Sequence, residues 1–168
     1  MIFIVLGSQK FQLNRLLEIM DRYVGQGLIQ EDVFAQIGNS SYEPKHYRYV
    51  RFLDKLKFEE KMQAADIVIT HSGVGSIISG INAGKKVIVY PRLVKYREHV
   101  DNHQLDIASA FEKKGYVICC YEEQDLLECI ARSETFHYQK YISQREQIVS
   151  IITNYIEQEK GRKVNDKS

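Results

Sequence analysis

Short, almost wholly apolar runs alternate with longer segments of helical period along this chain, and that alternation restricts the fold more than any other property of it. Met1-Ile-Phe-Ile-Val-Leu6, Val33-Phe-Ala-Gln-Ile37, Asp66-Ile-Val-Ile-Thr70, Lys86-Val-Ile-Val-Tyr90 and Tyr116-Val-Ile-Cys-Cys120 have strand length, and Tyr47–Phe52 reads as a further short strand. Apolar runs without polar alternation belong to strands covered on both faces, as in parallel sheets. Between them, Phe11, Leu13, Leu16, Leu17, Met20 and Tyr23 recur at helical spacing up to Gly25 and Gly27. Lys55–Ala65, Ile77–Ala83, Asn102–Lys114, Asp125–Ala131 and Tyr138–Glu159 complete the expected helices, with Gly84 and Gly115 as stops. The pattern predicts an α/β fold, a Rossmann-like parallel sheet with helices on both faces. It fits one domain over residues 1–160, followed by a polar, disordered tail at 161–168.

Charge and cysteine usage narrow the function. Lys plus Arg number 23 against 22 Asp plus Glu, interspersed and with formal net charge +1, so no nucleic-acid-binding field is expected. The tyrosines of 42–49 and 138–141, which could stack on bases, read as core or interface residues instead. Cys119, Cys120 and Cys129 lack metal-ligand spacing and read as reduced thiols of a cytoplasmic protein. The apolar N-terminal run stops at Gly7, and nothing approaches the ~20 apolar residues of a membrane-spanning helix.

In parallel sheets ligands collect beyond the carboxyl ends of the strands. Three loops fall there: Gly7-Ser-Gln-Lys10, His71-Ser-Gly-Val-Gly-Ser76, and the polar stretch Pro91–Gln104. Gly73 and Gly75 would let backbone N–H groups approach a diphosphate at a helix N-terminus. Taken alone, that loop reads equally well as close packing. It is neither a dinucleotide fingerprint nor a P-loop, and Ser76 is misplaced for a nucleophile elbow. Arg92, Glu98, His99, Asp101, His103 and Gln104 supply the hydrogen-bonding groups a polyhydroxylated ligand needs. A metal site at His99, Asp101 and His103 is disfavoured, because Asp101 is better placed as a helix N-cap and the three would not share one face.

The combination His71-Ser-Gly-Val-Gly-Ser-Ile77, Gly84-Lys-Lys-Val-Ile-Val-Tyr-Pro-Arg92 and Glu98-His-Val-Asp-Asn-His-Gln104 resembles the C-terminal, nucleotide-sugar-binding half of the family-28 glycosyltransferases, a GT-B fold. The resemblance runs from Met1 to about Ala131. It is strongest to donor-binding subunits of two-part glycosyltransferases, both the bacterial capsule and exopolysaccharide subunits and the eukaryotic subunit that adds N-acetylglucosamine to dolichol-linked sugar. Gly7-Ser-Gln-Lys-Phe11, Phe34-Ala-Gln-Ile-Gly38 and Tyr42-Glu-Pro-Lys45 are similar to the exopolysaccharide branch. The resemblance implies a UDP-sugar held by Gly7, Ser8 and the loop His71, Ser72, Gly73, Val74, Gly75 and Ser76. It places Asp101, His103 and Gln104 on the sugar, with Arg92, Glu98 and His99 shaping the pocket. No metal or other cofactor is implied. Three positions depart from the family: Ser79 where a ribose-binding glutamate is common, Ser8 where threonine is, and Asn14 where aspartate is.

The expected function is therefore the catalytic, donor-binding subunit of an inverting hexosyltransferase acting in exopolysaccharide or capsule synthesis. Its donor order is galactose, then glucuronic acid and N-acetylglucosamine, and its acceptor a lipid-linked saccharide. A membrane-associated, acceptor-binding subunit would complete the cleft and recruit the chain to the inner face of the membrane. His99 and His71 are the candidate catalytic bases on this chain. The helix Tyr138–Glu159 would dock on that partner, and the chain alone would tend to self-associate. The alternative is a non-catalytic nucleotide-sugar-binding or regulatory subunit. A hydrolase on the same sheet would lack both elbow and triad.

Overall fold

The computed structural model describes residues 1–141. In chain order the elements are β1 (Ile2–Val5), α1 (Asn14–Gly25), β2 (Val33–Gln36), β3 (Arg48–Val50), α2 (Lys55–Ala64), β4 (Ile67–Thr70), α3 (Val74–Asn82), β5 (Lys86–Val89), α4 (His103–Lys113), β6 (Ile118–Cys119) and α5 (Leu126–Ser133). The strands form one sheet in the order β3-β2-β1-β4-β5-β6, every neighbouring pair parallel.

Side chains alternate across the sheet, and each face has its own core. Ile2, Ile4 and Leu6, Ile67 and Ile69, and Ile88 and Tyr90 pack with Leu16, Leu17 and Met20 of α1 and Leu126 and Ile130 of α5. On the opposite face Phe3, Val5 and Val68 meet Met62 of α2. Val87, Val89 and Val117 there meet Ile77 of α3 and Ala108 of α4. Continuous apolar strands follow from this arrangement, since β1, β2 and β4 are buried on both faces and only the edge strand β3 meets water along its length.

Chain order reverses at β1: β2 and β3 extend to one side, β4 to β6 to the other. Val5 is in register with Thr70, so the loops leaving β1 and β4 emerge side by side. Such a switch point opens a crevice at the carboxyl edge of the sheet.

Element ends differ from the sequence expectation for local reasons. α1 starts at Asn14, not Phe11, because the Phe11 and Gln12 carbonyls accept from the Arg92 guanidinium and Ser40 Oγ takes the Leu13 N–H. α4 starts at His103, and Asn102 in the cap position makes no side-chain cap bond. Asp101 accepts the His103 N–H at 3.0 Å from one residue earlier. Residues 138–141, expected to open the last helix, are not helical. The Gln139 N–H donates to Gly115 O, and the Tyr141 ring packs edge-on against Tyr116, which draws this stretch along the end of α4. The rest of that expected helix and the polar tail lie outside the described residues.

Candidate functional site

His71 directly follows β4 at the switch point and is buried, with 6% of its surface exposed. Thr70 Oγ1 donates to Val5 O at 2.8 Å and lies 3.4 Å from His71 Nδ1. The one threonine proton being directed at Val5, Nδ1 is the protonated ring nitrogen and Nε2 carries the lone pair. Nε2 faces a gap walled by glycines. A Cβ on Gly7 would come within 2.8 Å of the ring, and one on Gly73 within 2.3 Å of Nε2. Burial, then the nearby Arg92 and His99 charges, hold the imidazole pKa down at about 4, so the ring is neutral at pH 7.

Immediately beyond, Gly73 is the N-cap of α3, and the first helical turn closes with the Ile77 N–H on Gly73 O. The N–H groups of Val74, Gly75 and Ser76 have no carbonyl one turn back and point off the helix end. Val74 and Gly75 are exposed and Ser76 half-buried at the carboxyl edge. Free donors at the positive end of a helix suit an anion. The two glycines have different surroundings. Gly73 makes room for the His71 ring, whereas nothing lies within 4 Å of a Cβ on Gly75. Ser72 Oγ is buried beside them with no hydrogen-bond partner.

The stretch after β5 forms the second wall. Arg92 is fully buried: Nε and Nη2 donate to the Gln12 and Phe11 carbonyls, and Nη1 is buried without a partner. Its backbone N–H donates to Gln104 Oε1 at 2.9 Å, which fastens α4 to the end of β5. Burial lowers the Arg92 pKa to about 10, with Glu98 opposing the shift. Glu98 is buried against Arg15 of α1, at 3.0 Å. His99 stacks on Phe11 with centroids 4.5 Å apart, and its Nδ1 lies 3.0 Å from Asp101 Oδ1. His103 is exposed, its Nδ1 3.9 Å from Asp106.

Gly7, His71, Gly73, Arg92 and His99 thus converge. Ser8, Val74, Asp101 and His103 are exposed, and the Glu98 and Gln104 side chains turn into the scaffold. Among the described residues no group of His, Cys, Asp or Glu is arranged to hold a metal ion. The three cysteines are buried and free. Ser79 Oγ donates to Gly75 O within its own helix and lines a groove against α2 with Lys55 and Met62. Asn14 Nδ2 donates to Gln12 Oε1 and Ser41 Oγ, and its Oδ1 accepts the Ser41 and Tyr42 N–H groups, so this amide ties two loops together.

Arg15 and Gln12 hold the site without having been marked by the sequence, and Phe11, read there as a helix and motif residue, holds it through its carbonyl and ring. A cation in the apolar stripe of α1 was the available signal for Arg15. A cavity of about 620 Å³ opens beside it, lined by Lys10, Gln12, Arg15, Tyr96 and Arg97 among others.

Residues 1–158 match the model of the Glycosyltransferase family 28 C-terminal domain. A curated relative, "UDP-N-acetylglucosamine transferase subunit ALG13" of Mus musculus, is 28% identical over 132 residues, 70% of this chain and 10% of that protein. The chain spans less than half the length of each other curated relative matched. Among solved structures, the glycotransferase of kitacinnamycin superposes with a TM-score of 0.59 at 18% identity, covering 79% of this chain and 34% of that one. The solution structure of ALG13 superposes with a TM-score of 0.54 at 17% identity, covering 90% and 93%. These structural likenesses establish the shared fold. No helix among the described residues is long and apolar enough to cross a membrane.

Proposed function

The chain belongs to the family of Glycosyltransferase family 28 C-terminal domains, and from that premise we propose that it is the donor-binding half of a two-part, inverting UDP-sugar glycosyltransferase. The observation that supports this most is the switch-point crevice, where the open N-terminus of α3 adjoins a buried, neutral His71. The α3 donors take the diphosphate and stabilise the UDP leaving group without a metal ion. Asp101 and His103 on the rim face the sugar, with Gln104 and Arg92 holding that rim in place.

UDP-N-acetylglucosamine stands first as donor, because it is the sugar in the name of the curated relatives. UDP-galactose and UDP-glucuronic acid follow. The acceptor is a lipid-linked saccharide, in exopolysaccharide or capsule synthesis or an equivalent lipid-linked pathway. It is presented by a membrane-associated subunit that closes the cleft and brings this cytoplasmic chain to the membrane. On this chain, His99 and His71 are the groups able to take the acceptor proton.

The test is reconstitution with the membrane-associated partner and a lipid-linked acceptor, scoring UDP release for each donor sugar. The chain alone should bind UDP-sugar, and the pair should turn it over. A turnover drop of about tenfold or more in His99→Ala or His71→Ala places the base here; unchanged turnover in both places it on the partner. Absence of UDP-sugar binding by both chain and pair would end the proposal. Binding by the chain, with full transferase activity in the partner alone, would leave it a regulatory subunit.

A further inference from the structure

One arginine outside the ligand crevice shapes the loop that borders it. Arg15 on α1 is buried, and its guanidinium lies over two aromatic rings, 4.4 Å from the Tyr90 centroid and 4.5 Å from that of Tyr96. Every nitrogen is directed at the segment leaving β5. Nε donates to Glu98 Oε1 at 3.1 Å and Nη2 to Glu98 Oε2 at 3.0 Å. Nη1 donates to the Tyr90 hydroxyl at 2.5 Å, and Nη2 also to Pro91 O at 3.2 Å. Glu98 Oε2 additionally accepts the Leu93 N–H at 3.0 Å. One cation of α1 therefore fixes Tyr90, Pro91, Tyr96 and Glu98.

The route between them is strained. Arg97 has φ +59°, the only non-glycine residue with positive φ among those described. A left-handed residue with a bulky side chain persists only where its surroundings over-determine it. Here the reversal lets the Tyr96 ring and the Glu98 carboxylate reach one guanidinium. A buried ion pair contributes little net stability, since desolvation offsets its attraction, but it demands one geometry. His99 follows directly and packs on Phe11 of the β1–α1 loop, and Asp101 lies against His99 and accepts the His103 N–H at the start of α4.

We propose that Arg15 is a positioning residue for the transfer reaction. Its guanidinium sets the Pro91–Glu98 loop and through it the placement of His99 and Asp101, while Glu98 is its counter-charge and not a contact for the sugar. The inference rests on the donor site proposed above, but loop order can be read without that activity.

The experiment uses the full chain alone and assembled with its partner. In Arg15→Met, amide hydrogen exchange across residues 93–101 should quicken about tenfold or more, with β1, β2 and α2 unchanged. UDP affinity should stay within about twofold of wild type, because the α3 end is untouched, while kcat of the pair falls about tenfold or more. Arg15→Lys should not rescue it, since an ammonium cannot hold both Glu98 oxygens and two further acceptors in one plane. If Arg15→Met fails to fold, Tyr96→Leu removes one of the two ring contacts of Arg15 at an exposed position and should reproduce the exchange and kcat effects in weaker form. Unchanged exchange across 93–101 would overturn the proposal, as would full rescue by lysine. A Glu98→Gln variant that loses UDP-sugar affinity while keeping the loop ordered would make Glu98 a ligand contact instead. A wild-type chain that binds no UDP would overturn the donor reading, leaving the exchange comparison to decide the role of Arg15.

Discussion

His71 is the residue whose surroundings are most specialised. It needs Gly7 and Gly73 to fit, yet Gly75, which the sequence pattern weights equally with Gly73, meets nothing. Gly73→Ala should displace the imidazole and lower UDP-sugar affinity by about tenfold or more, whereas Gly75→Ala should change it by less than about twofold, checked by calorimetry. Equal effects at the two positions would mean the loop opens to the ligand as a whole. The same burial makes the protein acid-sensitive. His71 titrates near 4 when folded against 6.5 in the unfolded chain, so the unfolded state binds the extra proton between those values. Its contribution to stability is fully present above pH 6.5 and is lost as pH falls toward 4. The loss is about 2 kcal/mol between pH 7 and pH 5. Urea titrations at the two pH values should show that slope in wild type and a smaller one in His71→Gln.

At the scale of elements, α1 is fastened at both ends by side chains whose partners lie far away in sequence. Arg15 takes the β5–α4 connection, and Asp21 takes the segment before β3. Asp21 is 2% exposed and accepts the Lys45 and His46 N–H groups, the Tyr42 hydroxyl and His46 Nδ1. Burial alone would push its pKa up, but those donors outweigh it and hold the carboxylate below its ordinary 3.8. A depressed folded pKa means stability present above the unfolded value of 3.8 and lost as pH falls from there through the folded value. Asp21→Asn should destabilise by about 1–3 kcal/mol at pH 7, because an amide nitrogen would face a backbone donor. The gap between mutant and wild type in denaturant should narrow as pH drops. A constant gap would assign the effect to packing. The motif Tyr42-Glu-Pro-Lys45 thus has a structural role in holding β3 to α1, beside any likeness it carries.

At the scale of the whole molecule, the carboxyl ends of β1, β4 and β5 open onto one edge of the sheet, the edge proposed above for the donor. The opposite end of the sheet is closed in part by Phe136 and Tyr138, packed on the core, and by Gln139, bonded to Gly115. A cut after Glu134 would strip these from the fold, so a partner-binding test belongs further along. Truncation after Tyr141 should leave UDP binding within about twofold and the melting temperature within a few degrees. It should also abolish co-purification with the membrane-associated subunit. Retained co-purification would place the interface on residues 1–141, where Val74, Val94 and Val100 are exposed around the crevice.

By itself the sequence determined the architecture. Strand length, unbroken apolar runs, helical periods and glycine stops are local quantities, and a parallel sheet covered on both faces is the arrangement that buries them all. It also carried the family and pointed to the edge proposed for the donor, because the glycine loop and the polar stretch are contiguous segments. Tertiary structure alone decided which of those polar residues face the crevice. Arg92, Glu98 and Gln104 read as binding residues in sequence, and the fold gives them the partners Phe11 and Gln12, Arg15, and the Arg92 backbone, with Arg92 Nη1 left unpaired. Arg15 and Glu98 lie 83 residues apart, and a period of 3.6 residues says that a helix has a buried face without saying which distant charge that face will meet. The division has one physical cause: burial of apolar surface is additive along the chain and legible from local pattern, whereas a buried polar group must find a specific partner that only the folded chain supplies.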